Sequence, residues 1–188
     1  MSMTTDVDLF QRRVSHVARG CPTAVLRDAI VQSAEDFCER TWLWKDDLLM
    51  ETQNETTEYA LPPIAGAEVL AIAEVWLDGA KIAFTTPDRA TLRLWADPGG
   101  GRELKVLVVL KPRGDAKALP KFLYDQWQDA IAVGARYKLL DMAGSDWFNP
   151  QLADKYRLEF ERLWVPRARV EVAHRQGRDL TVRKRRFI

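Results

Sequence analysis

The stretch ELKVLVVLKPRGDAKALPKFLYDQWQDAIAVGARYKLL, residues 103–140, decides the fold class, because the spacing of its apolar residues changes halfway along. Glu103–Leu110 is a run of leucine and β-branched residues that stops before Lys111-Pro112, as a strand does where proline cannot donate to the ladder. Beyond Gly114 the period becomes helical: Leu119, Leu123, Trp127, Ile131 and Ala135 recur at intervals of four, with Gly144 as the expected C-terminal cap. Gly134 lies inside that helix, where glycine costs about 1 kcal/mol relative to alanine. A close helix–helix contact at Gly134 is the expected compensation.

Outward from this stretch the same two periods recur. On the N-terminal side, Leu26, Ile30, Ala34, Phe37 and Thr41 share one face of a helix that starts after Pro22 and runs for about five turns. On the C-terminal side, Asn149 is a capping residue, Pro150 occupies the first helical position, and Leu152, Tyr156, Phe160 and Leu163 form one stripe. Pro166 is read as ending or kinking that helix. Beyond it the chain either continues as a helix to about His174 or becomes an extended arm, extended in any case from Leu180.

Between Trp44 and Pro112 the period is two. Thr57–Leu61 reads as a short strand stopped by Pro62-Pro63; Val69–Leu77, Asp78-Gly79 and Lys81–Phe84 read as a hairpin; Thr91–Trp95 alternates as a further strand. Asp-Gly suits a two-residue turn that needs positive φ at both positions. Four or five antiparallel strands inserted between helices indicate an α+β fold: about three main helices, a small antiparallel sheet and an extended C-terminal arm. The expected boundaries are a peripheral N-terminal segment 1–20 with a short helix around Phe10–Val17, a helical core of 21–45 and 113–166, a β-subdomain of 46–112, and a basic arm of 167–188.

With 188 residues, 47% of them hydrophobic and 29% charged, the chain can bury a core without disulfides or a structural metal. No apolar run reaches the roughly 18–20 residues a membrane span requires. The N-terminal MSMTTDVDLFQRR has no apolar h-region, so synthesis in the cytoplasm is the expectation. Cys21 and Cys38 fall near opposite ends of one helix, too far apart for a disulfide, and two Cys with two His make no convincing zinc site. The formal net charge is +1, yet residues 1–94 carry 9 basic and 15 acidic side chains and residues 95–188 carry 19 and 12. The two halves therefore have opposite sign, and an acidic partner or a nucleic acid is a natural counterpart for the basic end.

Residues suited to catalysis are few. His16 and His174 read as solvated surface residues, and no G-x-S-x-G, H-E-x-x-H or C-x-x-C occurs. Gly99-Gly100-Gly101-Arg102 feeds a strand rather than a helix N-terminus, so it reads as a hairpin loop and not a phosphate cradle. Asp46-Asp47 and Glu35, Asp36, Glu39 lack the alternation of a calcium loop and read as solvated faces. No enzyme, cofactor or metal is expected. Of seven tryptophans, Trp44, Trp147 and Trp164 lie near element ends and are candidate interface aromatics. The terminal Arg183–Arg186 run followed by Phe187-Ile188 fits three readings: a solvated tail, a nucleic-acid contact, or an arm that adds a strand to a partner's sheet.

Five segments in this order, AVLRDAIVQSAEDFCERTWLW (24–44), EYALPP (58–63), LKPRGDAKALPKFLYDQWQDAIAVGARYKLL (110–140), DWFNPQLADKYRLEFERLW (146–164) and LTVRKRRFI (180–188), resemble the head-to-tail adaptor (connector) proteins of tailed bacteriophages. The resemblance implies a virion structural protein, made in the bacterial host cytoplasm and placed at the head–tail junction. It would form a dodecameric homo-oligomeric ring under the portal protein, extend the DNA channel without sequence-specific contact to the genome, and offer a platform to the next tail component, a stopper or nozzle. It further implies that Thr181, Val182, Arg183, Lys184, Arg185, Arg186, Phe187 and Ile188 dock onto the portal, and that the sheet with its Asp78-Gly79 hairpin faces the tail. Opposite charge on the two halves would let neighbouring subunits attract one another around such a ring. The competing class is a nucleic-acid-binding module that uses the basic C-terminal arm.

Overall fold

The computed structural model describes residues 4–175, with side chains described through His174. In chain order the elements are β1 (Thr4–Asp6), α1 (Asp8–Val14), α2 (Thr23–Thr41), β2 (Lys45–Glu51), β3 (Glu58–Ala60), β4 (Ala67–Leu77), β5 (Ala80–Lys81), β6 (Phe84–Thr85), β7 (Thr91–Leu94), β8 (Glu103–Pro112), β9 (Ala118–Pro120), α3 (Lys121–Leu140) and α4 (Pro150–Glu159). A single π-helical turn, Phe160–Trp164, then joins α4 to α5 (Val165–Arg175). The fold is α+β.

Helices α2 and α3 meet where both backbones come close. A Cβ at Gly134 would fall on Ser33 Oγ and within 3.0 Å of the Phe160 ring. Ser33 is fully buried and donates its hydroxyl to the Ile131 carbonyl at 2.7 Å, so its small polar side chain is satisfied inside the contact. Phe37, Trp127, Tyr137 and Phe160 surround the same point with ring centroids 5.3 to 6.0 Å apart. Leu26, Ile30, Ala34, Phe37 and Thr41 of α2 are all buried, as their spacing requires.

The strands are more numerous than the sequence suggests and divide into three antiparallel sheets. One is four-stranded in the order β2-β8-β4-β5, one three-stranded in the order β3-β7-β6, and one pairs β1 with β9. The β4–β5 hairpin has the expected turn, with φ of 48° at Asp78 and 79° at Gly79. It stops at Lys81, however, and Phe84–Thr85 crosses to pair with β7 in the three-stranded sheet. β4 is irregular against β8, with register shifts between Val69 and Ala71 and between Ile72 and Glu74.

Four expectations are corrected. Residues 4–20 are not peripheral: Val7, Phe10, Val14 and Ala18 are buried, and β1 pairs with β9 through Thr4–Pro120, Thr5–Leu119 and Asp6–Ala118. Gly144 does not cap α3, which ends at Leu140; it lies in the following connection with φ of 83°. β9 and the two-stranded sheet had no counterpart in the sequence reading, because three residues are too few to show alternation. Pro166 does not end the helix. The π-helical turn bonds the Val165 amide to the Phe160 carbonyl, and this wider turn accommodates the missing N–H and the bulk of the proline ring directly after it. Of the two readings of the stretch after Pro166, the helical continuation to about His174 is the one observed, the helix running to Arg175 with Ala168 fully buried, so the arm does not begin at residue 167.

Asn149 and Pro150 begin α4 as read, the Asn149 side chain accepting from the Leu152 amide at 3.1 Å.

Two substitutions probe this packing. Gly134→Ala gains helix propensity, but it should lower unfolding free energy in urea by about 1–3 kcal/mol because the added methyl overpacks the contact. Phe10→Ala should cost about 3–5 kcal/mol; a loss under about 1 kcal/mol would mean that the N-terminal helix is not part of the core.

Candidate functional site

Residues 176–188 lie outside the described residues, and with them Thr181, Val182, Arg183, Lys184, Arg185, Arg186, Phe187 and Ile188, which the sequence reading assigns to docking. The remaining candidate surfaces are built from the described residues: the distal end of the β-subdomain, the outer side of the last helical pair, and the acidic side of α2.

At the distal end, the Asp78 carboxylate accepts from Arg102 Nε at 2.7 Å and from the Glu103 amide at 3.0 Å. The arginine hydrogen bond is the main reason its carboxyl lies below the usual carboxylate range. Asp78 thus ties the hairpin tip to the loop that precedes β8. That loop is itself braced: the Gly100 amide donates to Asn54 Oδ1 at 2.6 Å, and Thr52 Oγ1 donates to the Gly99 carbonyl at 2.6 Å. The glycine loop is held by side chains and runs into a strand, not a helix N-terminus, but it is not the expected hairpin loop: it joins β7 of the three-stranded sheet to β8 of the four-stranded sheet, two strands that do not pair. Beside it, Leu77, Ile82, Ala83, Leu94, Trp95 and Pro98 line a cavity of about 350 Å³, and Trp95 is 76% exposed at its rim.

The three expected interface aromatics are placed otherwise. Trp44 is buried, and Trp147 and Trp164 are partly buried and pack against the core. Trp164 Nε1 also donates to Glu159 at 3.2 Å, and its ring lies under the Arg167 guanidinium. The exposed tryptophans are Trp95 and, at 46%, Trp42, the residue with φ of 56° that closes α2. Position near an element end did not discriminate, because each of these ends turns back onto the body.

The outer side of α4 and α5 carries exposed Leu158, Leu163 and Val170 among the exposed cations Lys155 and Arg162. Its inner side is fixed to α2 by the Arg169 Nε bond to the Arg40 carbonyl at 2.7 Å and by the Arg40–Glu161 pair at 3.4 Å. α5, the last described element, is thus anchored to the body.

On α2, Glu35 and Glu39 stand around Lys111, which bonds Glu39 at 2.8 Å and faces Glu68 at 3.8 Å. Glu35 is half-buried, and its carboxyl is raised above the ordinary value of 4.5, first by burial and then by Glu68, Glu39 and Asp36, against the opposing pull of Lys111. Asp36 pairs with Lys138 at 2.5 Å and accepts from the Tyr137 hydroxyl at 3.1 Å. These carboxylates are engaged by lysines and a tyrosine, a structural cluster. Among the described residues no group of three or more His, Cys, Asp or Glu is placed to hold a metal ion, and no helix is long and apolar enough to cross a membrane. His16 is exposed, and partial burial followed by Arg136 holds its pKa below the ordinary value. Cys21 and Cys38 are free thiols, and burial pushes Cys38 far up.

Scanned against protein-family models, the sequence matches none, and no curated protein matches it.

Glu35 sets a pH dependence. An acid whose folded pKa is raised stabilises the fold least when ionised, so its contribution falls as pH rises from 4.5 through the folded value. Glu35→Gln should raise the thermal midpoint at pH 7 and leave it unchanged near pH 4; an equal shift at both would rule out the proton as the cause.

Proposed function

We propose that this chain is a virion structural protein, a head-to-tail adaptor that assembles as a ring under the portal protein, extends the DNA channel and presents a docking platform to the next tail component. The observation that carries this reading is the ordered set of five segments that resemble the adaptor family. Three of those segments supply α2, α3 and α4, which pack on one another around Ser33, Gly134 and Phe160. These three segments build the helical body, while EYALPP carries β3 and LTVRKRRFI lies outside the described residues.

Physical features fit the role. A ring subunit needs two different lateral faces that recognise each other, since a heterologous contact is what closes a ring. The acidic first half and basic second half provide charge of opposite sign. Exposed Leu158, Leu163 and Val170 provide apolar area for a neighbour to cover. In this proposal the arm, Thr181–Ile188, docks onto the portal, with Arg183–Arg186 supplying charge and Phe187-Ile188 the apolar anchor. The Asp78-Gly79 tip, held rigid by Arg102, faces the tail component. DNA passes through the channel without base-specific contact.

The test is co-sedimentation with DNA-filled, tailless capsids of the phage that encodes the chain, comparing full-length protein with protein ending at Asp179. Binding by the full-length chain that is lost on truncation, and that weakens between low and high salt, is the expected result. If neither form binds capsids while the full-length chain binds free DNA, the adaptor reading fails and the basic-arm nucleic-acid module replaces it.

A further inference from the structure

The four-stranded sheet ends on one side in β2, along which no strand pairs among the described residues other than β8. Two bonds bracket it and fix which of its backbone groups are in use. The Leu110 amide donates to the Trp44 carbonyl at 2.8 Å and the Thr52 amide to the Arg102 carbonyl at 2.9 Å. In a regular antiparallel ladder the bonded pairs recur every second residue, so Asp46, Leu48 and Met50 bond to β8. The amides and carbonyls of Lys45, Asp47, Leu49 and Glu51 therefore point off the edge. The Asp47 amide there takes the Asp46 carboxylate as its acceptor, at 3.0 Å, in place of a strand.

Such an edge is commonly shielded by a proline, a bulge or a covering element. Among the described residues β2 has none of these, its pairing with β8 running from Lys45–Val109 to Glu51–Glu103 without a register shift, and its edge is guarded by charge alone. It also presents Leu49, 68% exposed, beside a shallow depression of about 410 Å³ lined by Leu49, Met50, Glu51, Gly101, Arg102 and Glu103. The charge along the edge is selective. β2 carries Lys45 against Asp46, Asp47 and Glu51, a net of two negative charges, and of these acids Asp47 is paired with Lys105 at 2.9 Å. Acidic side chains deter pairing with another copy of the same strand and favour a strand of opposite charge.

We propose that β2 is a strand-accepting docking edge for a basic, extended segment of a partner protein, which adds to the sheet through the backbone groups of Asp47, Leu49 and Glu51, seats an apolar side chain against Leu49 and sets cations against Asp46 and Glu51. Backbone bonds supply affinity, and the acidic pair with the apolar site supplies specificity. The identification of that partner as the next tail component rests on the proposed function; the docking edge does not.

The probe is the peptide acetyl-Lys-Thr-Val-Val-Thr-Lys-amide, which sets a valine against Leu49 and lysines against Asp46 and Glu51 in either strand direction, added to the full-length chain with hydrogen exchange followed at single amides. The outward amides of Leu49 and Glu51 should slow by about tenfold or more on saturation, with β4 amides unchanged. Acetyl-Glu-Thr-Val-Val-Thr-Glu-amide should have no effect, and the double variant Asp46→Lys, Glu51→Lys should weaken the lysine-ended peptide by about tenfold or more. Both substituted residues are exposed, so folding is retained, and the double variant's circular dichroism checks this. No protection at Leu49 and Glu51, or equal protection by both peptides, would overturn the proposal. Protection already present without peptide and increasing with protein concentration would also overturn it, by making a second copy the occupant. These readouts need neither capsid nor arm, so failure here is distinct from failure of the adaptor reading.

Discussion

The absence of a side chain at Gly134 is the constraint on which the rest of the structure depends. Ser33 Oγ and the Phe160 ring occupy the volume that a Cβ would need, so α2, α3 and the end of α4 converge on one point. The convergence fixes where each element goes next. Asp36 meets Tyr137 and Lys138 on one side, Phe37 meets Trp127 and Phe160 on the other, and α5 is carried to the end of α2, where Arg169 bonds the Arg40 carbonyl. Exposed ion pairs contribute little to such an arrangement. Burial of aromatic and aliphatic area around a close backbone contact supplies most of it.

The π-helical turn follows from the same convergence. Phe160 must reach the Gly134 contact while Pro166, six residues on, must sit in a continuing helix. A wider turn between them inserts the extra backbone length that lets both be satisfied. The helix then runs on to Arg175, so Pro166 is no break between the body and residues 167–175.

The helices were legible because their signals are local and repeated: Leu26 to Thr41 and Leu119 to Ala135 each show several turns of one stripe, and Asn149-Pro150 combines a cap with a favoured first residue. The Asp78-Gly79 turn was legible because positive φ at both positions demands particular residues. β2 escaped as a separate strand because KDDLLME places two acids and then two leucines side by side, which conceals alternation; pairing with the strongly β-forming β8 decides its conformation. The burial of Phe10 and Val14 escaped because a seven-residue helix has too few turns to establish a stripe, and its partners lie more than a hundred residues away, as in the Arg13–Asp129 pair. Proline at 166 was read by its local effect, and only the tertiary demand at Phe160 explains why the helix persists. The outward groups of β2 are a property of sheet order, which no single segment of sequence displays.

The account joins a rigid helical body, a rigid hairpin tip and a basic arm into one proposed role at the head–tail junction. The most direct measurement of that claim is quantitative mass spectrometry of purified, mature virions of the tailed phage that, on this proposal, encodes the chain. The account predicts that the chain is present in virions, in a fixed ratio to the portal protein, and retained after tails are detached. Absence of the chain from washed virions that contain portal and tail proteins in full amount would contradict it.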